Sequence, residues 1–285
     1  MIDPELLLRW PPMEVRQHLA RRDTLFYALS IGLGDEPLDA RQLRYVYERG
    51  LAAFPTMATV LCYPGPVLKD PRLGIDYTRI VHAEQHLRLH GRLPVEGELR
   101  GTSRIVGVAD RGAQKGARVH VRREIFDAAS GTLLASADSV SLCRADGGFG
   151  GTFGESLVPE PMPDGPPDVV VEIATQPNAA LLYRLNGDYN PLHADPESAV
   201  RAGFERPILH GLCTLGVAAR AVLAACCDYD PQGLQAFGAR FTAPVMPGEK
   251  VRVEIWRRGR TVSFRASIAG RGAKVLDNGH ALLGS

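Results

Sequence analysis

A chain of 285 residues has room for one large domain or two modest ones, and for a sizeable core. Its 33 Lys plus Arg against 32 Asp plus Glu leave a formal charge of +1, which excludes a general electrostatic attraction to nucleic acid or an anionic membrane. No apolar run is long enough to span a bilayer, and MIDPELLLRWPP lacks the basic start and long apolar region of a signal peptide. Cys62, Cys143, Cys213, Cys226 and Cys227 form no C-x-x-C pair, so the expectation is a soluble, cytoplasmic protein with reduced, buried thiols.

In chain order, the first apolar stretch is Leu25-Phe26-Tyr27-Ala28-Leu29. Asp39 to Phe54 is the next helix candidate, but it carries three Arg and a Glu, and the segment after Pro55 is interrupted at Pro64-Gly65-Pro66 and Pro71. HAEQHLRLH places His82, His86 and His90 four apart, which on a helix would suggest zinc. The surrounding alternation makes it a strand, on which residues 82, 84 and 86 share a face, and no metal site is expected. Arg92 to Leu99 opens an alternating stretch. Arg118 to Asp127 and Thr132 to Cys143 read as strands joined by an Ala-Ser-Gly-Thr hairpin. Gly147 to Asp168 is rich in Pro and Gly and reads as a linker, dividing the chain into 1–155 and 156–285. Its GGFGG follows a meander and opens no helix, so a dinucleotide site is not expected.

Beyond the linker, the helix-like run from Ala179 to Leu185 is ended by Asn186-Gly187, and Asp195 with Pro196 and Glu197 starts a new helix. Between these ends lie Asp188, Asn190, Pro191 and His193. They can be ordinary loop caps, or a rigid loop on which carboxylate and imidazole position and deprotonate a water. PILHGL follows, and Gly211 opens Gly211 to Cys227, apolar on nearly every side as a helix wrapped by a sheet must be. Its first amides lack partners inside the helix and can hold a carbonyl oxygen, or Gly211 is simply a small residue at a helix start. Lys250 to Arg257 and Thr261 to Ile268 form a second meander around Arg-Arg-Gly-Arg.

The two halves resemble each other. Leu25 to Leu29 matches Leu181 to Leu185, Pro37-Leu38 matches Pro191-Leu192, and Arg92 to Leu99 matches Pro244 to Val251, in constant order. The expected class is therefore α+β, a double hotdog: two antiparallel sheets side by side, with a long buried central helix in the second copy and a degenerate equivalent in the first. The space freed in the first copy is either a ligand cavity or a core filled by loops. That copy has Gly32 in place of Asp188 and Asp39 in place of His193, so it cannot perform the same chemistry.

YRLNGDYNPLHAD followed by PILHGL resembles the motif of the MaoC-like (R)-specific enoyl-CoA hydratases, or hydratase 2. DTLFYALSIG, YERGLAAFPT, VHAEQHL, QKGARV and GGFGG resemble the N-terminal half of the eukaryotic double-hotdog type, as in peroxisomal multifunctional enzymes. Ala83 departs from the glycine usual there. The resemblance implies a homodimer that adds water reversibly to trans-2-enoyl-CoA, giving (3R)-hydroxyacyl-CoA, with no cofactor beyond the coenzyme A of the substrate. It implies that Asp188 and His193 hold the water, Asn190 orients them and Gly211 N–H polarises the thioester. Tyr183, Glu48 and His82 match active-site or supporting positions, and Lys115 and Phe241 match coenzyme A contacts. The first copy then becomes a non-catalytic acyl-tail pocket for medium, long or bulky chains. An acyl-carrier-protein dehydratase, a hotdog thioesterase and a non-catalytic acyl-CoA-binding subunit are the alternatives.

Overall fold

The computed structural model describes residues 2–284. The first half opens with α1 (Pro4–Leu8), capped by the Asp3 carboxylate, and the edge strand β1 (Met13–Leu19). Helices α2 (Arg21–Ser30) and α3 (Ala40–Val46) follow, then four 3-10 turns between Pro55 and Arg79. Strands β2 (Ile80–Leu89), β3 (Gly97–Asp110), β4 (Ala117–Asp127) and β5 (Leu133–Cys143) complete the sheet, and the short β6 (Thr152–Gly154) pairs with β3. The second half comprises β7 (Val169–Ala174), α4 (Ala179–Tyr183), α5 (Pro196–Arg201), α6 (Gly211–Cys227), β8 (Leu234–Phe241), β9 (Lys250–Arg258), β10 (Thr261–Ile268) and β11 (Ala273–Leu283). The division expected after residue 155 falls between β6 and β7.

The strands run β1-β3-β4-β5-β2-β8-β11-β10-β9-β7 in one continuous antiparallel sheet. Outward from the central pair, each half repeats the same order: β2, β5, β4, β3, β1 on one side and β8, β11, β10, β9, β7 on the other. The weak similarity of the halves therefore reflects one duplicated unit, and the two expected sheets are fused edge to edge through β2 and β8.

In the second half, every residue of α6 from Cys213 to Leu223 is buried, and the sheet curls around it. Each fully buried Val or Leu there contributes roughly 1.5–3 kcal/mol by leaving water. Gly216 lets α6 approach the first half: a Cβ there would fall 2.7 Å from Ile31 Cγ2, at the end of α2. The one charge in this stretch, Arg220, is matched by Asp35 and by the Gly32 carbonyl. Among the described residues the first half has no such helix. Its sheet is covered instead by the segment around the 3-10 turn Pro55–Thr59, with Phe54, Met57, Leu61 and Cys62 buried and Tyr27 Oη donating to Thr56 Oγ1 at 3.0 Å.

One irregularity overturns an expectation. Across β5, His82 pairs with Ser141 and Glu84 with Val140, so Ala83 is an extra residue, a bulge. A bulge reverses side-chain alternation. His82 consequently points to the concave face, against Phe241, while Glu84 and His86 point outward, where Glu84 meets Arg118 at 2.8 Å. Residues 82 and 84 do not share a face, and the three histidines are dispersed: His86 stacks on His280 and His90 bonds Ser136. All five cysteines are free, with Cys226 and Cys227 only partly buried. No helix among the described residues is long and apolar enough to cross a membrane.

Candidate active site

Helix α4 runs into a 3-10 turn that ends at Gly187, whose φ of +111° is open to glycine at little cost and turns the chain back on itself. The next residues are held by their own backbone. Asp188 Oδ1 accepts from Asn190 N–H at 3.2 Å, and Asn190 Oδ1 accepts from Leu192 N–H at 3.1 Å, capping the 3-10 turn Pro191–His193. Asn190 thus fixes both ends of the loop: its amide positions the carboxylate and its side chain the turn that carries His193. Asp195 caps α5, with Pro196 as its first residue, and closes the loop from the other side.

His193 is buried, and its Nδ1 lies 2.8 Å from the Ile208 carbonyl. A carbonyl only accepts, so Nδ1 carries the proton and Nε2 is left with a lone pair. Burial lowers the imidazole pKa, which keeps that lone pair free at neutral pH. The acceptor Ile208 belongs to the segment leading into α6, so one stretch of chain holds both the histidine and the helix start.

His210, the residue preceding α6, was not singled out from the sequence. Its ring stacks on His193 with centroids 3.7 Å apart, it tilts against Tyr183 at 5.1 Å, and its Nε2 donates to the Asp188 carbonyl at 3.2 Å. Burial, and then the neighbouring His193, push its pKa down to about 4. Donor atoms of Asp188, His193 and His210 lie within 4.8 Å of one another. Three such ligands could hold a cation. Stacked rings, however, direct their in-plane lone pairs side by side rather than to a common point, and His210 already donates to the backbone, so the arrangement suits a water better than a tetrahedral ion.

Gly211 N–H, first in α6, has no acceptor among the described residues. A Cβ at Gly211 would lie 3.1 Å from the Phe241 ring, which packs edge-on against His82 at 5.0 Å. Tyr183 is buried beside His210, and its hydroxyl has no hydrogen-bond partner among the described residues. Seven expected residues therefore gather here: Asp188, His193, Asn190, Gly211, Tyr183, Phe241 and His82. Glu48 and Lys115 do not join them. Both are exposed, Glu48 in the turn after α3 and Lys115 in the turn between β3 and β4, with no side-chain contact to the group.

The first half nevertheless reaches the site. The Asp188 charge acts on Tyr63, Tyr77 and His82; burial first and Asp188 second push Tyr63 up to about 12. In the first half's own copy of the loop, Asp39 merely caps α3 and pairs with Arg41, and Gly32 accepts from Arg220. The GGFGG segment is also accounted for: Asp110 accepts from the amides of Gly112, Gly148 and Gly150, so an internal carboxylate occupies the place a phosphate would take. A cavity of about 310 Å³ lined by Glu84, His86, Asp138, Arg240 and linker residues lies on the outer face of the sheet, away from Asp188.

Comparison with known proteins gives a consistent answer. Residues 18–145 match the MFE-2 hydratase 2 N-terminal domain and residues 159–279 the MaoC like domain. The chain is 37% identical over 91% of its length to peroxisomal multifunctional enzyme type 2 of Drosophila melanogaster, of which it spans 44%. It is 40% identical to 3-hydroxyacyl-thioester dehydratase Y of Mycobacterium tuberculosis, covering 90% of each chain. It is 35% identical to peroxisomal enoyl-CoA hydratase 2 of Arabidopsis thaliana, covering 95% of this chain and 93% of that one. Among solved structures, a MaoC-like dehydratase from Phytophthora capsici superposes with a TM-score of 0.87 at 32% identity, covering 98% of both chains. A Mycobacterium tuberculosis protein described as a double hotdog shares the fold at a TM-score of 0.58 and 17% identity, covering 96% of both chains.

Proposed function

Because this chain belongs to the MaoC-like hydratase 2 family, we propose that it hydrates trans-2-enoyl-CoA reversibly to (3R)-3-hydroxyacyl-CoA, at one active site per chain. The observation that carries the mechanism is a buried His193 whose Nδ1–H is tied to the Ile208 carbonyl, grouped within 4.8 Å with Asp188 and His210, the residue before the amide of Gly211. A water held between imidazole and carboxylate adds its oxygen to C3 of the enoyl group. One proton passes through the pair of His193 Nε2 and Asp188: it leaves the water as the C3–O bond forms and is delivered from the pair to C2 on the same face, while Gly211 N–H stabilises the enolate-like thioester oxygen. Asn190 and His210 hold the two groups in register.

The acyl chain runs toward the first half, whose Tyr63, Tyr77 and His82 feel the Asp188 charge, and medium to long or bulky chains are the expected substrates. Phe241, which packs beside Gly211, lies toward the coenzyme A moiety. The working form is a homodimer, and the cytoplasm is its location; named relatives include peroxisomal enzymes.

Loss of enoyl-thioester absorbance with crotonyl-CoA and decenoyl-CoA, with chiral analysis of the product, tests the reaction. An Asp188→Asn variant should fold normally, since Asp188 is exposed, and lose at least about a hundredfold in kcat. Near-normal activity removes Asp188 from the mechanism. Release of free thiol without hydration would make the protein a thioesterase. Turnover confined to carrier-protein esters would make it a carrier-linked dehydratase, and binding without turnover a non-catalytic subunit.

A further inference from the structure

Regular alternation would make the concave face of the first sheet apolar throughout. It is not. Register places Ser103, Arg123, Ala137 and Leu87 in one row across β3, β4, β5 and β2, then Ile105, Val121, Ser139 and Gln85 in the next. A third row contains Val119, Ser141 and, because of the Ala83 bulge, His82. Arg123, Gln85, Ser139, Ser141 and His82 therefore form a polar strip on an interior face. It separates two apolar clusters, one containing Leu99, Ile125 and Leu87, the other Ile105, Val119 and Cys143.

Arg123 is the unusual member. It is only 8% exposed, has no carboxylate within ion-pairing distance among the described residues, and its buried Nε has no partner. Its guanidinium donates to the Thr59 carbonyl and stands 5.5 Å from the centroid of the Tyr63 ring. A buried charge with no counter-ion is costly, by several kcal/mol in general, and burial holds this one down to about 10, still cationic at neutral pH. Gln85 Nε2 is used up on the His86 and Asp138 carbonyls, but Ser139 and Ser141 are partly exposed on the same face and neither hydroxyl bonds a described residue, so the strip retains unused donors. Tyr63 feels both Arg123 and Asp188, and His82 leads through Phe241 to Gly211. The strip thus begins where the reacting carbons would lie and runs into the first half.

We propose that Arg123 recognises a carboxylate carried on the acyl chain away from the thioester, so that this enzyme prefers enoyl-CoA esters with an oxidised, anionic tail over plain hydrocarbon ones. The carboxylate would take the free Nε and supply the missing counter-charge, with Ser139 and Ser141 as further donors. The proposal rests on the hydratase reading. Wild type, Arg123→Met and Arg123→Lys should be compared on crotonyl-CoA and on hexenoyl-, decenoyl- and dodecenoyl-CoA, each chain with a terminal methyl, carboxylate or carboxylate methyl ester. Wild type should favour the carboxylate by about tenfold or more in kcat/KM at one or more lengths, and the methyl ester should fall back to the plain-chain value. Arg123→Met should lose about thirtyfold on the carboxylate series yet stay within about threefold on plain chains, with Arg123→Lys between. Equal wild-type rates at every length overturn the proposal, whether or not the variants fold. So does an Arg123→Met loss shared by all esters, crotonyl-CoA included, which would mark a structural tether to Thr59. Failure of wild type on every ester would sink the hydratase reading and this proposal with it, whereas turnover without preference sinks this proposal alone.

Discussion

Gly211→Ala separates a catalytic reason for the glycine from a packing one. A methyl there would lie 3.1 and 3.2 Å from two carbons of the Phe241 ring, so the ring must yield by a few tenths of an ångström. Phe241 ends β8 and is only half-buried, so it can move; Gly211 is helical, and alanine offsets part of the overlap by roughly 0.5–1 kcal/mol through reduced freedom of the unfolded chain. Stability should change by less than about 1 kcal/mol in urea titration. Activity should not survive so well. The methyl crowds the space above the amide, where a thioester oxygen must approach to about 3 Å, and loss of one oxyanion donor costs about 10² to 10³ in kcat. We expect about a hundredfold loss in kcat on decenoyl-CoA. The double variant Gly211→Ala, Phe241→Leu removes the overlap and should recover stability but not rate. Full activity in the single variant, or its restoration in the double, would refute the assignment of Gly211 N–H to the thioester oxygen.

Three further outcomes follow from the geometry. In the proposed mechanism His193 acts as the neutral imidazole, and burial lowers its pKa, so the acid limb of kcat/KM should have its midpoint below the ordinary histidine value of 6.5; a midpoint above it contradicts that role. His82, His210 and His280 are each held near 4, chiefly by burial, so the unfolded chain takes up protons near 6.5 that the native state refuses. Stability is then full above 6.5, declines as pH falls through the window to about 4, and a urea midpoint unchanged between the two ends of that window would disprove it. Gly238→Ala puts a Cβ 2.5 Å from His86 Nδ1 and 2.9 Å from the Gln85 carbonyl at the β2–β8 seam; it should cost about 1–3 kcal/mol, and a variant as stable as wild type would show that the seam can spread.

The sequence is most legible where one short segment settles the matter. α6 is apolar on all sides and begins at the expected Gly211; the Ala-Ser-Gly-Thr and Arg-Arg-Gly-Arg turns, and the caps at Gly187 and Asp195, lie where their residue types require. What is missed depends on chain segments far apart. His210 matters because it stacks on His193 and bonds the Asp188 carbonyl, contacts with no sequence period, although its place just before Gly211 in PILHGL was a usable signal. The face of His82 was misassigned because a single bulged residue reverses alternation, and the unusual Ala83 in that motif marks the spot. Arg123 reads as one more charge in RVHVRREIFD; only the register shows that it points inward, and only the fold of residues 55–63 that it is enclosed.

The β2–β8 seam has a consequence for how this molecule can change. Were each half a separate chain pairing with its own copy, every substitution would appear on both sides of the dyad, and a residue good for one side would be imposed on the other. Here the joint is intramolecular, so dilution cannot part the halves, and each is free to drift without its twin. Symmetry has become optional. One side has kept the acid and the imidazole, and the other, with Gly32 and Asp39 at the matching positions, is released from that constraint.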